Sequence, residues 1–156
     1  MAEHYVALKW LHVVGAAVLF GTGLAIAFNF WLALRGASVA MIAAAARATV
    51  IADFAFTMPA VALQPVTGIA LALAAGYPLT STWIAASVAL YLAAGACWIP
   101  VVFIQLKLRD IAAKSAHDGA PLPAEFHRLA RRWFVLGWPA FIAVGAIFWL
   151  MIARPA

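Results

Sequence analysis

The sequence predicts an all-α fold, a four-span transmembrane helix bundle with proline-kinked second and third helices, on two observations. Four long apolar stretches, at about residues 5–34, 54–75, 83–106 and 133–153, fill most of the 156-residue chain. Each meets the requirement of a bilayer core about 30 Å thick, which takes about 20 apolar residues at a helical rise of about 1.5 Å. The composition agrees: 68% of residues are hydrophobic and 10% charged, with a mean hydropathy of +1.04, whereas soluble domains carry about 25% charged residues. A single integral membrane domain over 1–156 accounts for nearly every residue, with no long linker or low-complexity segment.

The first stretch opens with Tyr5, Lys9 and Trp10, whose rings suit the headgroup level while the lysine reaches outward. Its apolar run is too long for a secretory leader, so it reads as a retained helix. His12, Gly15, Leu19, Thr22, Ile26 and Asn29 recur at alternating spacings of three and four, which places them on one stripe facing the bundle. Gly15, Gly21 and Gly23 allow another helix to come close, as packing rather than hydrophobicity must join helices in lipid.

Residues 38–52 are alanine-rich and helical by propensity. A straight helix over 38–75 would be about 57 Å long, too long for one perpendicular crossing, so it must bend or protrude. Pro59 and Pro65 should kink it, with Gln64, Thr67 and Gly68 placed to satisfy or pack around the freed carbonyls. Residues 76–79 form a short turn, and Thr80 or Thr82 can cap the third span, which Trp83 opens. That span carries Pro100 and ends at Gln105, Lys107, Arg109 and Asp110. After a polar loop over 114–123, Pro123 followed by Glu125 reads as a helix start. The fourth span then begins behind a basic rim of His127, Arg128, Arg131 and Arg132.

The net charge of +5 belongs to topology rather than to nucleic-acid binding, since no basic stripe is interleaved with exposed aromatics on a polar domain. Arg35, Arg47, Lys107, Arg109, Lys114, Arg128, Arg131 and Arg132 lie on two connections, leaving Lys9 and Arg154 at the other face. The positive-inside rule puts the eight in the cytoplasm and both termini outside, in the periplasm of a bacterial inner membrane. The lone Cys97 falls within a span and reads as a packing residue. No phosphate-binding loop, nucleophile elbow or catalytic carboxylate pair is present, which argues against a hydrolase or an ATP-driven device.

An ionisable side chain inside a bilayer is costly enough to count as a functional candidate, and His12 is the clearest case. A neutral imidazole there can ligate haem iron, relay protons, or hydrogen-bond a carbonyl or serine of the next helix. A bis-histidine haem would need a second histidine at similar depth, whereas His4, His117 and His127 fall elsewhere. Met58 and Cys97 have ligand chemistry but lie deeper, and no spacing suits a zinc or copper cage. Near the inner boundary, Asp53 is expected to pair with Arg47, Arg131 or Arg132, with Asn29 completing a polar cluster at the rim. A proton or anion uptake site is the sharper reading of that group.

Taken together, LKWLHVVGAAVLFGTGLAIAF, ADFAFTMPAV running into TGIALALAAG, TWIAASVALYLAAGACWIPV and FHRLARRWFVLGWPAF resemble the bacterial predicted integral membrane proteins of domain of unknown function 2269. The resemblance implies a four-helix inner-membrane protein and no particular activity. More distantly, His12 followed by small residues, Phe20 and Gly21, with a proline-bearing second span, is similar to the HemJ-type protoporphyrinogen oxidases and the CopD-type copper-resistance membrane proteins. The first of these likenesses implies haem b on His12. It departs at the second span, where Met58, Pro59 and Gln64 replace the further polar and basic residues of that type. Two readings therefore stand: a haem-associated or redox membrane protein using His12, and a non-catalytic small subunit or assembly factor, with the lipid bilayer and a membrane-protein partner or second copy as its contacts.

Overall fold

The computed structural model describes residues 2–36 and 38–155. It contains α1 (Ala2–Leu34), α2 (Val39–Ala52), a π-helical turn (Asp53–Thr57), α3 (Met58–Ala74), α4 (Thr82–His117) and α5 (Ala124–Ala153), and the described residues include no strand. Because α2, the π turn and α3 run on as one helix over Val39–Ala74, four helices are long and apolar enough to cross a membrane.

The interruption in the second of these has a local cause. A proline inside a helix has no N–H to give, and its ring collides with the carbonyl four residues back. Immediately before Pro59 the hydrogen-bond register widens, and the Met58 N–H reaches back five residues to the Asp53 carbonyl. Six residues further on, Pro65 deprives the Val61 carbonyl of its helical donor. The Tyr91 hydroxyl, from α4, donates to that carbonyl at 2.5 Å. Gln64 and Thr67, expected to serve freed carbonyls, turn instead toward α1.

Two glycines make the sharp helix ends. Gly76 (φ +74) follows α3 and Gly119 (φ +62) follows α4, both in the left-handed region that a β carbon disfavours. In each case the next residue reaches back to a helical carbonyl, Tyr77 N to Ala72 O and Ala120 N to Ser115 O, both at 2.9 Å. At the start of α4 neither Thr80 nor Thr82 caps. Ser81 holds that position, and its hydroxyl donates to the Pro78 carbonyl at 2.6 Å. At the start of α2, the Ser38 hydroxyl accepts the Met41 N–H. The expected start of α5 behind Pro123 is found.

The buried apolar core lies toward the basic connections. Phe30 of α1, Ile42, Ala45 and Ala46 of α2, Val101, Leu108 and Ala112 of α4, and Phe126, Ala130 and Trp133 of α5 form one cluster. Alanines bring the backbones together, and Phe30 meets Phe126 and Trp133 edge-on, with ring centroids 6.4 and 5.5 Å apart. Toward the termini the arrangement changes. There α3 packs on α1 and α4 on α5, while the backbone of α3 approaches neither α4 nor α5 among the described residues. Side chains bridge the two pairs: Phe20 stacks on Phe141 at 4.2 Å, and Arg154 donates to the Tyr77 hydroxyl at 2.5 Å.

Candidate functional site

The most deeply placed ionisable group is Asp53, 2% exposed at the start of the π turn. Its carboxylate accepts a 2.6 Å hydrogen bond from the side-chain amide of Gln105, itself 2% exposed on α4. The amide's orientation is set from the other side. An indole N–H can only donate, so Trp133 Nε1, 3.4 Å away, faces the Gln105 oxygen and turns its NH2 group toward Asp53. Thr57 and Trp98 also stand beside the carboxylate. The Thr57 hydroxyl is buried beside the carboxylate without a well-formed hydrogen bond to it, and one turn below Asp53 the buried Thr49 hydroxyl has no partner. Thr49, Gln105 and Trp133 line a narrow void with Phe30, Ala46 and Leu108, too small to hold a water molecule.

Among the described residues no cation pairs with this acid. The ion pair found among the described residues is Arg109 with its neighbour Asp110, at 2.7 Å on the surface. The cluster expected from the sequence, Asn29, Arg47, Asp53, Arg131 and Arg132, does not assemble: Asp53 is interior and the other four are exposed. The reason is helical phase. On α5, Trp133 and Ala130 face the core and turn Arg131 and Arg132 outward, and on α2 Ala45, Ala46, Thr49 and Val50 do the same to Arg47. On α1, Phe30 takes the interior place expected of Asn29.

A second polar group joins α1 to α3. The Thr67 hydroxyl, with one hydrogen, donates back to the Leu63 carbonyl at 2.8 Å. Its oxygen also stands 2.7 Å from His12 Nδ1, a hydrogen bond in which Thr67 accepts when Nδ1 carries the ring hydrogen and donates when Nε2 carries it. In return, Gln64 Nε2 donates to the His12 carbonyl at 3.1 Å. Each side chain lies against a glycine of the opposite helix. A β carbon on Gly68 would stand 3.2 Å from His12 Cε1, and one on Gly15 would stand 2.7 Å from Gln64 Nε2. The expected stripe on α1 thus faces the bundle through His12, Gly15, Leu19, Thr22 and Ile26, which are all partly buried.

The His12 ring edge packs close to Gly68 of α3. No group of three or more His, Cys, Asp or Glu side chains converges to hold a metal ion among the described residues. His4, His117 and His127 are exposed, and Cys97 is a partly buried free thiol. Sequence reasoning found Asp53 and His12 through the cost of ionisable groups in lipid. It missed Gln105 as a partner and Thr49 and Thr57 as neighbours, although the four-residue spacing of the two threonines on either side of Asp53 marks one face of a helix.

Residues 6–155 match the family described as "Predicted integral membrane protein (DUF2269)", and the chain belongs to that family. Neither a curated protein nor a solved structure matches the chain.

Proposed function

We propose that this integral membrane protein handles protons through Asp53, rather than carrying out haem redox chemistry through His12. The supporting observation is a buried carboxyl group held by the neutral donor Gln105, with no cation beside it and an unpartnered hydroxyl, Thr57, one turn away. An isolated anion in such a place is costly unless donors compensate it, and a neutral acid needs an acceptor for its hydrogen. Thr57 serves either state, because a hydroxyl can give a hydrogen bond to a carboxylate or take one from a carboxylic acid. Gln105, pinned by Trp133, stays a donor throughout. The charged groups on the surrounding helices, Arg35, Arg47, Lys107, Arg109, Arg131 and Arg132, make no ion pair with Asp53.

Infrared spectra of the purified protein across a pH series test this reading. A protonated-carboxyl band absent from Asp53→Asn should fade reversibly as pH rises. A band that persists at every pH, or one that never forms, would overturn it and leave Asp53 as a structural group in a non-catalytic subunit. The proposed setting is the bacterial inner membrane with both termini periplasmic, supported by eight basic residues on the two connections against Lys9 and Arg154 at the other face. Reporter fusions within residues 114–122 and at the C-terminus check that orientation. Periplasmic-type activity from the loop fusion would reverse it.

A further inference from the structure

We infer that the polar groups along the second membrane helix form a proton path through the bilayer, an inference that rests on Asp53 being the exchanging group. The groups lie in steps along one continuous helix and the side chains it touches. Thr49 and Asp53 are four residues apart, as are Asp53 and Thr57. Thr49, Asp53 and Thr57 are all buried, and the two hydroxyls have no partners. The next step is filled from α4, because the Tyr91 hydroxyl sits on the Val61 carbonyl that Pro65 leaves without a helical donor. Gln64 and Thr67 follow, joined to His12 through its carbonyl and its Nδ1. No step rises more than about 6 Å along the helix, and the whole distance from residue 49 to residue 67 is about 27 Å, most of a bilayer core.

Each end holds a group that can take up and release a proton. Toward the basic connections this is Asp53, one turn inside Thr49, and toward the termini it is His12, whose imidazole meets the Thr67 hydroxyl through Nδ1. Between them, the hydroxyls of Thr57, Tyr91 and Thr67 accept a proton on one side as they give one up on the other, while Gln64 holds α3 to the His12 carbonyl and carries no proton, so no net chemistry occurs and the electrochemical proton gradient drives the flow. Ala60 fills the face between Thr57 and Gln64, and the void beside Thr49 is too small for water. Conduction therefore requires the helices to part briefly, and the path is gated rather than an open pore. The charged side chains of the surrounding helices lie on the surface: Arg35 over the Trp31 ring, Arg109 on Asp110, and Arg47, Lys107, Arg131 and Arg132 exposed.

The test is proton uptake by liposomes containing the full-length protein and a trapped pH-sensitive dye, driven by a potassium diffusion potential. Wild type should acidify the lumen faster than protein-free vesicles. Asp53→Asn and Thr57→Val should fall to the protein-free rate, Thr57→Ser should retain uptake, and Tyr91→Phe, which removes one oxygen and keeps the ring, should slow it. Asp110→Asn on the surface should change nothing. Wild-type uptake equal to that of empty vesicles overturns the path, as does uptake indifferent to both Thr57→Val and Tyr91→Phe. Should Thr57→Val fail to fold, Tyr91→Phe and Thr57→Ser still decide. An Asp53 infrared band that titrates in a protein that does not conduct sinks the path alone, whereas a band that never titrates sinks the reading beneath it.

Discussion

The half of the bundle next to the basic connections and the half next to the termini are held together in different ways. Near the connections, four helices share a cluster of aromatic and alanine side chains, with Phe30, Leu108, Ala112 and Phe126 at most 1% exposed. Near the termini the described residues form no comparable cluster, and α1 meets α3 through His12, Gln64 and Thr67 set against glycines. Lipid is as apolar as leucine, so side chains inside the membrane gain little by leaving it, and close packing and hydrogen bonds must join the helices there. The basic half, with residues such as Leu108 and Phe126 flanked by charge, reaches toward water and can use apolar burial. The buried acid sits where the two regimes meet.

The comparison breaks most readily at its apolar end. Phe126→Ala removes a fully buried ring from the centre of the cluster and should cost about 3 to 5 kcal/mol in unfolding measurements in mixed micelles. Phe103→Ala removes the same ring from a position 63% exposed on α4 and should cost far less. Equal losses at the two positions would mean that the cluster is not the stabilising core.

Next in size is the junction. Gln105→Leu takes from Asp53 the donor 2.6 Å away and leaves a buried acceptor unsatisfied, at a cost of about 1 to 3 kcal/mol. Replacing Asp53 with leucine in the same chain should recover part of that loss, because removing both partners of a buried hydrogen bond is nearly neutral when shape is kept, while the Trp133 indole N–H still lacks the acceptor it had in Gln105. If the double variant is weaker than either single one, the pair's stability role has been misread.

What the sequence made legible and what it hid follow the same division. Spans, turns and the stripe on α1 are periodic or punctuated features, and Pro123, Gly15 and His12 announced them locally. The reach of Tyr91 to Val61 and of Gln105 to Asp53 depends on the phase of two helices relative to one another, which no single helix encodes. Gln105 was especially easy to misjudge. It lies two residues before Lys107, so it reads as the polar end of a span, while its actual position is among the least exposed in the chain. The arginines were misjudged in the opposite sense. Charge complementarity pointed them at Asp53, but Trp133 and Ala130 have the stronger claim on the interior of α5, and Arg131 and Arg132 reach solvent at little cost.

A smaller effect should come from the α1–α3 seam. A double-mutant cycle on His12→Ala and Thr67→Val should give a coupling of about 0.6 to 1 kcal/mol, the scale of hydrogen bonds between membrane helices. Gly68→Ala tests the same contact by crowding, since its β carbon would lie 3.2 Å from the His12 ring. The ring must then shift by a few tenths of an ångström, and the Thr67 bond with it. A cycle showing no coupling would mean that His12 and Thr67 are neighbours without being partners.

The smallest effect belongs to the interaction that looks strongest on charge alone. Arg109 and Asp110 form a 2.7 Å ion pair, but their side chains are 37% and 66% exposed. Adjacent residues on a helix do not face one another, so the arginine must fold back along the surface and surrender side-chain freedom to hold the geometry. Water screens what remains. A cycle on Arg109→Gln and Asp110→Asn should therefore yield no measurable coupling, and raising the salt concentration should leave the melting temperature unchanged in both single variants and the parent. Coupling here as large as that between His12 and Thr67 would erase the distinction between the two halves, because an exposed charge pair would then join the chain as effectively as a neutral bond shielded by helices.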